Sequence, residues 1–310
     1  MKSPIVQATD LSKWYGEVIG LNNFKILVGS GITGMVGPNG SGKSTFFKLV
    51  TGTIHSNSGS LLVLGEKPWK NPSQLGRIGF CPDYDFLPAD LSGRDYLRFA
   101  GGLHGMKGPS LQGRIDEVLQ IVDMKGAADR KMGGYSKGMR QRMKIAGSFL
   151  SDPDLLLLDE PLTGTDPVVR RDIIDLIKTL NKDHGHDIIV SSHVLHEIER
   201  MTHQVALIYK GRAVASGDID EIRRLMSDHP HNIVLEGEGM LKLAQSLLEK
   251  DFTVSLELSH DRRVLNIKVS RPDDFFDSIP TLLQECGCAL ERMESLDDDL
   301  ESVFKYLVRW

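Results

Sequence analysis

Cysteine is scarce in this chain: three in 310 residues, at Cys81, Cys286 and Cys288. They are too few and too unevenly placed for a disulfide framework and lack the paired spacing of a zinc site, so reduced thiols in a cytosolic setting are expected. Cys81 falls near the candidate site described below, but no base is evident beside it, and it is expected to pack inertly. Long apolar runs are missing as well. None approaches the about 18 residues needed to cross a bilayer, and the start, Met1 Lys2 Ser3 Pro4, lacks the apolar centre of a signal peptide. Any membrane-spanning part is therefore expected on another polypeptide. Positive charge is not in excess either, the net charge being −5. From about Met226 onward 17 acidic residues stand against 9 basic ones, which leaves the preceding part mildly basic and disfavours nucleic acid as a partner. The length is ample for two domains.

What the chain does have is a glycine-rich run: Gly37, Pro38, Asn39, Gly40, Ser41, Gly42, Lys43, Ser44 and Thr45. It follows the apolar segment Ile32 to Val36 and opens a predicted helix, Lys43 to Val50, which is the strand, loop and helix context of a phosphate-binding loop. The glycines let several backbone N–H groups converge on one anion, and the helix adds the positive end of its dipole. Triphosphate fits such a cradle. Lys43 would reach the β and γ phosphates and Ser44 would place its hydroxyl on Mg²⁺, with Gly40 and Gly42 leaving no Cβ in the way. The alternative is an accidental glycine-rich turn.

A second element sharpens this reading. Leu155 to Leu158 form a short apolar run that ends in Asp159, Glu160 and Pro161, as a buried parallel strand would at its exposed C-terminal end. Neighbours on a strand point to opposite faces, but where the chain turns at the strand end both carboxylates can serve one site. Asp159 is expected to hold the Mg²⁺ water shell, and Glu160 to orient and deprotonate the attacking water. A solvated turn after a core strand is the plainer alternative.

With these motifs in place the chain resembles an ABC-type ATPase over about residues 4 to 225. The diagnostic segment is Tyr135, Ser136, Lys137, Gly138, Met139, Arg140, Gln141 and Arg142, similar to the family's LSGGQ signature in its exporter-type form. Lys137 and Met139 depart from that pattern, while Ser136 and Gly138 match the positions that touch a partner's γ phosphate in the family. Physically the segment is another helix start, with Ser136 as N-cap and the helix running from about Lys137 to Leu150. The resemblance implies further roles. Tyr15, with Trp14 as its rival, resembles the aromatic that stacks on adenine. His193 resembles the switch histidine at the γ phosphate. Asp166 resembles the loop aspartate that couples two sites across a dimer, or it simply caps the helix beginning at Pro167. Asp83 stands where most members hold a glutamine. An aspartate still offers oxygen to a hard cation, so Asp83 is expected to keep the sensing role.

The fold class expected is α/β: residues 1–225 as a P-loop ABC cassette with a RecA-like core, an antiparallel β lobe and a helical subdomain at about 85–150, then residues 226–310 as a small α+β domain. Ser92 with Asp95 forms a capping-box-like start for the helical part. Phe86, Leu87 and Tyr96 fall where the family docks its permease and are candidate docking residues, with core packing as the alternative. The C-terminal order of strand, helix, strand, strand, helix, strand predicts a split βαβ, ferredoxin-like arrangement. A closing helix is predicted over Asp297 to Val308.

The resemblance implies an ATP-hydrolysing subunit at the cytoplasmic face of the membrane, bound there through a permease on a separate chain and paired with a second cassette as homodimer or heterodimer. Lys43, Ser44 and Asp159 of one cassette and Ser136 and Gly138 of the other would hold each ATP with its Mg²⁺. The competing expectation is a soluble ABC ATPase that acts without a permease on ribosomes or DNA. Two cassettes in one chain, long coiled-coil insertions or zinc modules would mark that class, and the sequence has none of them.

Overall fold

In the computed structural model, which describes residues 3–226 and 231–295, the chain divides into two units between Asp218 and Ile219. The first unit carries, in order, β1 (Val6–Tyr15), β2 (Val18–Val28), β3 (Ile32–Val36), α1 (Lys43–Val50), β4 (Ser58–Val63), α2 (Pro72–Leu75), β5 (Ile78–Cys81), α3 (Gly93–Leu103), α4 (Gly108–Ile121), α5 (Lys137–Phe149), β6 (Leu155–Leu158), α6 (Pro167–Lys182), β7 (Asp187–Ser192), α7 (Leu195–Glu199), β8 (Gln204–Tyr209) and β9 (Arg212–Asp218). Two sheets result. β2, β1 and β4 form a three-stranded antiparallel sheet. The other is six-stranded, in the order β5-β6-β7-β3-β8-β9, and parallel except at the β9 edge.

The four leucines of β6 are fully buried because their strand lies inside the parallel sheet with helices on its faces, the usual reason for an unbroken apolar run. Two glycines mark how closely those helices approach. A Cβ at Gly79 in β5 would lie 1.9 Å from the Ser148 carbonyl of α5, and one at Gly34 in β3 would lie 1.9 Å from the Ile198 side chain of α7. On the other side α1 carries Phe46 and Phe47 into a core shared with the antiparallel sheet, where the Phe24 and Phe46 rings stand 5.1 Å apart. The hairpin edge β9 was not anticipated: Ala213, Ala215 and Gly217 give it little strand character, and pairing with β8 across the Lys210–Gly211 turn decides its form.

In the helical part, Ser92 caps α3 by accepting from Asp95 N–H at 3.1 Å and donating to the Asp95 carboxylate at 2.7 Å. Phe86 is exposed at 39%, but Leu87 and Tyr96 are buried, so for these two the core-packing alternative holds and they are not an exposed docking surface. Tyr96 packs on Gly147 of α5, where a Cβ would meet its hydroxyl at 2.3 Å.

The second unit carries α8 (Ile219–Met226), β10 (His231–Glu238), α9 (Met240–Leu248), β11 (Thr253–Leu258), β12 (Val264–Val269), α10 (Pro272–Cys286) and β13 (Ala289–Ser295). Its antiparallel sheet runs β11-β12-β10-β13, the strand order of a split βαβ repeat. Alternation makes this possible: Ile233, Leu235, Leu265, Ile267 and Val269 point to one face and pack with Leu243, Leu247, Phe275 and Ile279 of the two helices. The helix expected over Asp297 to Val308 lies outside the described residues. Among the described residues no helix is long and apolar enough to cross a membrane.

Candidate functional site: a phosphate-loop cleft

The cleft is built at the C-terminal ends of β3 and β6, where a parallel sheet presents loops and helix starts to a ligand. A cavity of about 260 Å³ is lined by Asn39 to Thr45, by Tyr15, Val18, Ile19 and Gly20, and by Asp83 and Glu160. The loop leaves β3 at Gly37, where a Cβ would lie 2.2 Å from the Ile208 carbonyl, so only glycine passes. Gly40 and Gly42 are glycines for different reasons. Gly40 has open space around it but a φ of 78°, and Gly42 has both a φ of 114° and the Gly20 carbonyl 2.7 Å from where a Cβ would sit. The first helical hydrogen bond of this turn runs from Phe46 N–H to the Gly42 carbonyl, so the N–H groups of Lys43, Ser44 and Thr45 have no acceptor within the helix. Ser41 Oγ is buried without a hydrogen-bond partner among the described residues. A cradle of free donors around a buried hydroxyl suits a polyanion.

Lys43 is only 5% exposed. Its Nζ donates to the Gly37 carbonyl at 2.6 Å and lies 3.3 Å from Glu160 Oε1. Asp159 is also buried, and burial is the main reason its carboxyl is held above the ordinary carboxylate range. Hydrogen bonds from Ser191 and Ser44 oppose that shift, and the charges of Asp83 and Glu160 add to it. Ser191 Oγ donates to Asp159 Oδ1 at 2.5 Å and accepts from Glu160 N–H at 2.9 Å, so one hydroxyl fixes both acids. Glu160 has a φ of 46°, the backbone turn that brings two successive carboxylates to one site. Its Oε2 accepts from Thr163 Oγ1 at 3.1 Å and stands 2.8 Å from His193 Nδ1. Oxygen donors of this kind, a serine hydroxyl and acidic groups that repel one another, fit a hard divalent cation such as Mg²⁺ at Ser44, Asp159 and Asp83.

Of the expected site residues, the cleft brings together Tyr15, the phosphate loop, Asp83, Asp159, Glu160 and His193. Tyr15, 42% exposed, lines the cavity, whereas Trp14 does not and is tied through its backbone to Asn57. Ser136, Gly138 and Asp166 are not among the residues lining the cavity. Ser136 accepts from Met139 N–H at 3.3 Å as the N-cap of α5, and Asp166 accepts from Val168 and Val169 N–H at 3.0 Å as the N-cap of α6. A Cβ on Gly138 would lie 2.7 Å from the Val169 side chain, so the starts of α5 and α6 pack together. Cys81 is buried and its thiol is pushed up to about 12, chiefly by that burial, which leaves it a packing group. Sequence reasoning missed Ser191. The available signal was a hydroxyl at the end of an otherwise apolar strand, two positions before the histidine.

The ABC transporter family model matches residues 22–163. Over 309 residues the chain is 28% identical to the daunorubicin resistance ATP-binding protein DrrA3 of Streptomyces coeruleorubidus, covering 99% of this chain and 96% of that protein. It is 33% identical over 220 residues to the Nod factor export ATP-binding protein I of Cupriavidus metallidurans, covering 70% of this chain and 72% of that one. A solved structure of an ATP-binding subunit of an ABC transporter superposes with a TM-score of 0.64 at 27% identity, over 72% of this chain and 93% of the other.

Proposed function

Because the chain belongs to the ABC transporter family of ATP-binding proteins, whose cassettes are ATPases, we propose that it powers export through a permease on a separate chain by closing head to tail with a second cassette. The observation that carries this reading is the meeting of Lys43, Asp159, Glu160 and His193 at one cradle of free backbone donors. The N–H groups of residues 43 to 45 and the Lys43 ammonium bind the phosphates of ATP, and Tyr15 offers its ring to adenine. Ser44 and Asp159, with Asp83 beside them, would hold Mg²⁺, which supplies neutralising charge at the phosphate oxygens when bound.

Glu160 is the base. Its Oε2 is fixed by Thr163 and His193, while Oε1 has no hydrogen bond of its own and lies toward the phosphate loop beside Lys43. That oxygen, which has no hydrogen bond but lies 3.3 Å from the Lys43 ammonium, can take the proton of an attacking water, and His193 keeps the carboxyl group from rotating away. Ser136 and Gly138 head a helix whose positive end is suited to the γ phosphate of ATP held by an opposed cassette, so one chain holds half of each site. In this scheme hydrolysis replaces one bridging anion by two that repel, and the opening that follows is passed to the permease at the cytoplasmic face. The export direction is drawn from the relatives named for resistance and export.

Phosphate release by the purified chain with MgATP tests the reading. The wild type is expected to turn over, with Lys43→Ala slower by roughly a hundredfold, the scale of losing one preorganised charge stabiliser. Equal rates for the two proteins contradict it.

A further inference from the structure

Behind the cleft lies a second pair of charges that touches no phosphate-binding group. Glu197 on α7 is 5% exposed. One of its oxygens accepts from Ser192 Oγ at 2.9 Å, and the other faces Arg170 Nη1 of α6 at 3.2 Å. Arg170 also donates from Nη2 to the Thr165 carbonyl at 3.3 Å, and its Nε is buried with no hydrogen-bond partner among the described residues. Ser192 is in turn 2% exposed and accepts from Val194 N–H at 3.0 Å. With Glu197 buried and the Arg170 side chain 32% exposed, an ion pair of this kind contributes little to stability, since an apolar pair of similar size serves as well or better. What it does supply is a fixed geometry. Thr165 directly precedes Asp166, and Ser192 directly precedes His193, which stands 2.8 Å from Glu160. The chain of contacts thus runs from the Asp166 loop, through Arg170 and Glu197, to the histidine that holds the general base.

We propose that Arg170 and Glu197 are positioning residues for hydrolysis, a partly buried strut that holds the Asp166 loop and the His193 loop in one register. Displacement of the Asp166 loop is then transmitted to His193 and Glu160 within the same chain. The inference rests on the ATPase reading of the cleft given above. It assigns no contact with ATP to either residue, so their loss affects the chemical step and leaves nucleotide binding alone.

The test measures phosphate release against MgATP concentration, with melting temperature, for the full chain and for Arg170→Met, Arg170→Lys, Glu197→Gln and the double variant Arg170→Met/Glu197→Gln. The double variant leaves no charge buried alone, so it is expected to melt with the wild type while its kcat falls at least on the order of tenfold and its KM stays put. Arg170→Lys keeps the charge but loses the fork that reaches Glu197 and Thr165 together, and falls between. A double variant with wild-type kcat shows the pair to be a folding element only and overturns the inference while leaving the ATPase reading standing. A wild type that releases no phosphate overturns that reading and the inference with it.

Discussion

Asp159 is the residue whose chemistry and stability pull in opposite directions. Its burial raises the carboxyl above its unfolded range. The folding penalty is therefore absent in acid, where the carboxyl is protonated in both states, and grows as the pH rises through the folded value. Asp159→Asn is expected to melt higher than the wild type at neutral pH without nucleotide, with the gain vanishing in acid, and to lose turnover by at least about a hundredfold. Calorimetry across pH beside a phosphate-release assay checks both. Asp83 makes a finer case. Asp83→Gln restores the family's commoner residue and lengthens the reach by one methylene; a change in Mg²⁺ dependence is expected, and an unaltered Mg²⁺ titration would remove Asp83 from the sensing role. These residues were legible because their types and spacing are local: a glycine loop after a strand, two acids at a strand end. Ser191 was not, because its link to Asp159 spans 32 positions and exists only once β6 and β7 pair.

At the scale of the element, the starts of α5 and α6 carry two functions at once. Ser136 caps α5 through Met139 N–H and, in the proposed pair, offers its hydroxyl to ATP across the interface. Ser136→Ala should cost about 1 kcal/mol of stability as well as turnover. Ser136→Asn replaces the cap but not the hydroxyl, so it is expected to recover the melting temperature and not the rate. Recovery of both would make Ser136 a cap alone. The predicted elements that came out as read are those with strong local patterns, such as Val264–Val269, where apolar residues alternate, and α3, where Ser92 and Asp95 form the cap. For Leu87 and Tyr96, position along the chain left docking and core packing both open. Their burial comes from packing against neighbours such as Gly147, which local pattern does not carry.

For the whole molecule, the asymmetry of charge between the two parts of the sequence coincides with two different architectures: a mostly parallel sheet that ends at a phosphate cradle, and an antiparallel split βαβ sheet with its own core. The first follows from motifs that need each other. Lys43 and Glu160 are 117 positions apart in sequence and 3.3 Å apart in space, and neither motif explains the other until a nucleotide is placed between the loop and the strand end. The second follows from alternation and turn residues, which define a fold and name no ligand.

The claim on which the account turns is that ATP holds two cassettes together until Glu160 activates water. Light scattering of Glu160→Gln at saturating MgATP addresses it directly. Without its base the variant should accumulate as an ATP-bound dimer that falls apart when nucleotide is removed, and a particle that remains a monomer with ATP bound would contradict the account.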